Sequence, residues 1–293
     1  MSKQSSSASL ISWERARTIF GDAPPPRNVW ERQFDNFDCE LQRLARTPYD
    51  EIDFSDLWYY HHDLAYVELQ PDLFNYLFPV CLMDWHHSLL ESVSCSHGDS
   101  EFHFGVYRGN VFEKMLTQEQ RQATYEFFRD SFLERLDAER GFLNWRSRRS
   151  GCAWMYRFNS LAIVMPRIDM LWNPWWALET PGRAVAVLQY CSGLMYREEN
   201  YPLFPPCLWE DDSYIHYAGW MIENLDFLRR TLTGDFVKDK VASAVARLRT
   251  EPEWQEVRQL EADVLQSMEL IRLRIAELPE LLGKTGGGLG SSA

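Results

Sequence analysis

The sequence predicts a mostly α-helical protein of two packed helical units with minor β. Three observations predict it. Apolar residues recur at steps of three and four over long stretches. Thr117-Gln118-Glu119-Gln120 has the spacing of a capping box. Leu77-Phe78-Pro79-Val80-Cys81-Leu82 returns 126 residues later as Leu203-Phe204-Pro205-Pro206-Cys207-Leu208, which suggests a tandem duplication. The resulting division is a disordered lead-in (1–26), an acidic, histidine-rich helical unit (27–141), a second helical unit ending in a long amphipathic helix (142–282) and a mobile Gly/Ser tail (283–293).

Element by element, the lead-in closes on Pro24-Pro25-Pro26, a stiff extended link. Trp30, Phe34, Phe37, Leu41 and Leu44 then predict a helix over 29–44. Ser55 is a plausible N-cap for a helix running towards Leu69, and Asp72, after Pro71, for the next. Pro79 should kink or restart that helix before it continues to about Val93. Residues 94–110, polar and with three glycines, read as loop or a short hairpin. Behind Thr117, one helix face carries Thr124, Phe127, Phe128, Phe132 and Leu136. Residues 152–190 mix strand and helix formers, and Trp172, Trp175 and Trp176 suit dense core packing better than a ligand platform. From Trp254 to Leu278 an apolar stripe predicts one long helix packed on a partner helix, with homodimerisation through 254–278 as the alternative to packing within the chain.

Composition narrows the function classes. At 45% hydrophobic and 14% aromatic the chain can bury a substantial core, and a net charge of −13 excludes a general nucleic-acid binder. No apolar run approaches the ~18 residues of a membrane span, and the N-terminus lacks a secretory pattern, so a cytoplasmic protein is expected. Six widely spaced cysteines suit reduced thiols. Residues 27–103 hold four basic and fifteen acidic residues, so −11 of the charge sits there, with six of the seven histidines. Such a face steers a basic protein partner. Asp35, Asp38, Asp50, Asp53 and Asp56, beside Trp58 and Tyr59, are the expected binding residues, aromatics anchoring and carboxylates orienting. More than half of the aromatic group Trp58, Tyr59, Tyr60 and Tyr66 is expected to be core.

Residues 53–136, with Asp72-Leu73-Phe74-Asn75-Tyr76-Leu77-Phe78-Pro79 and then Leu116-Thr117-Gln118-Glu119-Gln120-Arg121, resemble uncharacterised bacterial proteins. Those carry a Tyr-x-x-Pro-x-x-Leu helix and a Leu-Thr-x-Glu-Gln helix. Some of them sit beside toxin or phage-defence genes, so the resemblance implies an immunity or adaptor role and supplies no catalytic residue. The rival reading is a metal-dependent hydrolase using His61, His62, Asp63, Asp84 and His87, because imidazole and carboxylate together suit a divalent metal. Its His62-Asp63 dyad resembles that of the metal phosphohydrolases named for the pair, but the earlier histidine of their pattern has no counterpart before His61. Nucleotide-loop and nucleophile-elbow motifs are missing from the sequence, and no cofactor is expected.

Overall fold

A computed structural model describes residues 12–91, 97–140, 167–195, 221–252, 254–257 and 259–284. Every regular element among them is helical. The chain enters through α1 (Trp13–Ile19), capped by the Ser12 hydroxyl, which accepts the Arg15 N–H at 3.2 Å. Ala16 and Phe20 are buried, and Phe20 edges onto Phe74 and Phe78. Residues 13–20 therefore belong to the fold rather than to a disordered lead-in. An apolar helix face that reaches the core is enough to order a short terminal helix.

The next correction concerns 29–44. Only α2 (Asp38–Leu44) is helical, and residues 29–33 carry no regular structure. Glu31 and Gln33 point inward while Trp30, Arg32 and Phe34 point out, the period-two pattern of an extended segment. Two 3-10 turns follow, Tyr49–Glu51 and Phe54–Leu57, the second capped by Asp53, not by Ser55. They lead into α3 (Trp58–Tyr66). Pro71 then occupies the first position of α4 (Pro71–Glu91), where its missing N–H leaves nothing unsatisfied, and Asp72 lies inside the first turn. Pro79 is carried within this one helix without a restart.

Residues 97–109 form α5 (His97–Gly109), so the hairpin expected over 94–110 is replaced by a helix, with 94–96 outside the described residues. Gly105 and Gly109 explain why a glycine-containing segment is helical here. Each faces α3 so closely that an added Cβ would collide with the His61 carbonyl oxygen at Gly105 and with that of Leu64 at Gly109. These glycines mark a close helix crossing, not a turn. After α6 (Val111–Met115), α7 (Gln118–Asp137) opens with the predicted capping box, and Thr124, Phe127, Phe128, Phe132 and Leu136 are all buried.

Helix α7 joins the two halves. Phe128 meets Trp85 and Phe102 on one side, and Phe132 meets Trp175 on the other. The tryptophans of α8 (Asp169–Trp176) are buried and mutually packed, as core residues. Residues 183–190 lie in α9 (Pro181–Met195), so the strand reading fails there; 152–166 are outside the described residues. Arg183 bridges back to α7 through Asp137 at 2.8 Å.

Beyond α10 (Ile222–Thr231), Thr233 caps α11 (Gly234–Leu248). The long terminal helix is broken into α12 (Trp254–Val257), α13 (Leu260–Gln266) and α14 (Met268–Lys284). Val264, Ile271 and Leu278 of its stripe are buried against the chain's own core. These three residues thus pack within the chain, as expected of the stripe, in place of the alternative homodimer seam. The hydrophobic core is continuous from α1 to α14, and the second Leu-Phe-Pro copy (203–208) and the 141/142 boundary lie outside the described residues.

Candidate protein-binding surface

The surface is built on a segment held down by buried polar groups. Gln70, just before α4, accepts the N–H groups of Trp30 and Glu31 through Oε1 at 2.7 and 3.2 Å. Its Nε2 donates to the Asn28 carbonyl at 2.7 Å, and its backbone N–H donates to Glu31 Oε2 at 2.5 Å. Asp63 on α3 accepts the Phe34 N–H at 2.9 Å. Asp38 accepts the Gln33 N–H at 3.1 Å, while Gln33 Oε1 accepts the Leu41 N–H at 3.2 Å. Residues 28–34 are therefore pinned by side chains where no helix or sheet ladder serves their backbone.

Two of these carboxyl groups pay for their position with perturbed acidity. Burial raises Glu31 to about 8, against the Gln70 N–H, with the Asp63 charge adding to the rise. Burial likewise raises Asp63 to about 7, with the Phe34 N–H, Gln33 and His62 holding it back. The negative charge counted over 27–103 is thus not all surface charge.

Outward-facing rings form a ribbon over the same segment. Phe34 stacks on Tyr66 with ring centres 4.6 Å apart, and Phe37 on Tyr59 at 3.8 Å. Trp58 meets Tyr59 edge-on at 4.7 Å and lies 4.8 Å from the His62 ring, while Tyr66 reaches Phe104 at 5.9 Å. Tyr59, His62 and Tyr66 fall at i, i+3 and i+7, one face of α3. Trp30, Phe34 and Tyr66 are about half exposed (52, 53 and 47%) and Trp58 is 37% exposed. Of the four aromatic residues over 58–66, only Tyr60 is fully buried, so the expectation that most are core is overturned.

The predicted binding residues take distinct places. Asp35 and Asp38 are exposed and directly follow Phe34 and Phe37 in the chain. Asp53 is exposed and accepts the Ser55 N–H and hydroxyl at 2.9 and 2.8 Å, contacts that hold it below the usual carboxylate range. Asp56 pairs with Arg43 at 2.9 Å, and Arg43 also reaches Glu40. Asp50 lies in the first 3-10 turn, with its side chain outside the described residues. Trp58 and Tyr59 sit at the start of α3, Tyr59 half-buried. Phe34, Phe37 and Tyr66 belong to the same surface. Sequence reasoning placed the first two on a buried helical stripe, because outward rings and inward polar groups invert the usual pattern.

The metal reading is corrected. His61 is buried, with Nε2 3.9 Å from Asp84 Oδ2. His62 faces Trp58, Asp63 holds the Phe34 N–H, and His87 is exposed beside the Phe54 ring. Among the described residues no group of three or more His, Cys, Asp or Glu side chains is placed to hold a metal ion. Successive residues of α3 project about 100° apart, which sends 61, 62 and 63 to different neighbours. The interior histidines serve as packing groups: His103 accepts the Trp85 indole N–H at 2.9 Å, and burial pushes His86, 3.1 Å from the Ser131 hydroxyl, down to about 4. Cys39 and Cys81 are free thiols.

Comparison with protein-family models, with curated proteins and with solved structures finds no match to this chain. Among the described residues no helix is long and apolar enough to cross a membrane.

Proposed function

We propose that this chain is a non-enzymatic interaction factor of a bacterial cytoplasm, of the immunity or adaptor type, whose acidic N-terminal half binds a basic protein partner. The immunity or adaptor role comes from the resemblance over residues 53–136. The observation that carries the binding reading is the exposure of the carboxylates Asp35, Asp38 and Asp53 together with a partly exposed aromatic surface at Trp58 and Tyr59, onto which Phe37 stacks. Interfaces combine in this way aromatic anchors with charged groups that orient the partner. Rigid support from Gln70 and Asp63 lowers the ordering cost of binding.

The test is affinity capture with the tagged full chain and with a D35K/D38K/D53K variant, identifying what each retains. The intact chain should retain a basic protein whose capture weakens as salt rises from about 50 to about 300 mM, because exposed charges are screened over a shorter distance. Charge reversal should reduce capture at least about tenfold, the direction expected of like-charge juxtaposition. Equal capture by both chains would remove the acidic face from the interaction.

A further inference from the structure

We infer that the aromatic ribbon along α3 seats arginine side chains of the partner, two of them about 10 Å apart. This rests on the reading of an acidic binding face and names the chemistry that the face recognises.

Four observations lead there. The ribbon has two ends, Phe34 on Tyr66 and Phe37 on Tyr59 with Trp58 beside it. Tyr59 and Tyr66 are seven helical residues apart, which at about 1.5 Å per residue separates the ends by about 10 Å. Two residues three apart in an extended peptide span about the same distance. Each end has a carboxylate next to its ring in the chain: Asp35 follows Phe34, and Asp38 follows Phe37. Both carboxylates are exposed.

Rings beside carboxylates favour one kind of side chain. A guanidinium lies flat on an aromatic face and at the same time donates to a carboxylate, whereas a neutral apolar side chain leaves the carboxylate without a partner. The chain uses the same contact within itself, where Arg17 lies 4.8 Å over the Tyr49 ring. On the ribbon, no cation of the described residues covers Phe34, Tyr66 or Trp58. Arg43 is engaged by Glu40 and Asp56, and the exposed Arg32, two residues before Phe34, lies over none of these rings. The ribbon is also held in place before binding, by the Phe34 N–H on Asp63 and by the Gln33–Asp38 contact.

The experiment titrates the full chain into a dye-labelled Gly/Ser peptide carrying two arginines three positions apart, followed by fluorescence anisotropy. The control peptide replaces both arginines by citrulline, which keeps the planar shape but loses the charge and exchanges two N–H donors for a carbonyl acceptor. The arginine peptide should bind and the citrulline peptide should not. F34L and Y66L, which retain apolar bulk and lose the ring, should each weaken binding about 2- to 5-fold, the size of an exposed cation–ring contact. Circular dichroism checks that each variant is folded, and Y66F, which keeps the ring, should bind like the parent. If F34L and Y66L bind normally while D35K, which leaves the Gln33–Asp38 contact in place, does not, the aromatic seats are overturned and the acidic face stands. If the ring variants weaken binding and D35K does not, the acidic face falls and the seats stand. Equal binding of the citrulline peptide would overturn the assignment to arginine.

Discussion

Glu31 is a carboxyl group that the fold keeps away from water, where the Gln70 N–H favours its charged form and the Asp63 carboxylate opposes it. Its acidity in the fold, about 8, lies above the ordinary 4.5, so the folded state favours the protonated form. The stability it contributes is complete below pH 4.5 and declines as pH rises to about 8. Asp63 acts in the same direction from 3.8 to about 7. Glu31→Gln keeps an oxygen for the Gln70 N–H and cannot ionise. It should raise stability at about pH 9 by on the order of 3 kcal/mol, with little change at about pH 4.5. Urea melts of parent and variant at the two pH values check this; equal stability of the two at high pH would contradict it. A sequence cannot show this role, since Glu31 looks like one more acidic surface residue until Gln70 closes over it.

At the scale of elements, what could be read from the sequence was what depends on neighbours a few residues away. The Thr117 capping box forms as its spacing requires, because both of its hydrogen bonds lie within one turn. Over 29–37 the helical spacing yields no helix, because the side-chain partners Gln70 and Asp63 that hold this stretch are some thirty to forty residues distant. The same holds for α5, where glycines that signal a loop by composition serve a helix crossing. Gly109→Ala should therefore destabilise the protein by on the order of 1–3 kcal/mol, since the new methyl meets backbone, not a side chain that can move aside. It should also loosen α3, which would appear as faster amide exchange over 58–66. A stability equal to that of the parent would show that the crossing has slack.

The whole molecule is held by one continuous core, and α7 carries it from the N-terminal helices to those beyond residue 167. The terminal stripe shows how the same periodicity leads to different assemblies. Val264, Ile271 and Leu278 recur at seven-residue steps, as a dimer seam would, yet they are covered by the chain itself. Ile271→Ala should cost about 2–5 kcal/mol of folding stability, the range for a truncated core residue, and leave the oligomeric state as it was. Denaturant melts and light scattering separate the two effects. A change of oligomeric state with unchanged stability would return the stripe to a subunit interface.

By itself the sequence determined the helical class, the α7 cap and its buried face, the core role of the α8 tryptophans and the concentration of acidic residues before residue 103. Each follows from periodicity, composition or contacts within a turn. Tertiary structure alone decided which carboxylates are surface and which are buried, which rings form the ribbon, and that of His61, His62, Asp63, Asp84 and His87 only His61 and Asp84 meet, with no three of them placed to hold a metal ion. Those outcomes depend on pairings between distant residues, and a pattern read along one chain carries no record of what will lie across from it.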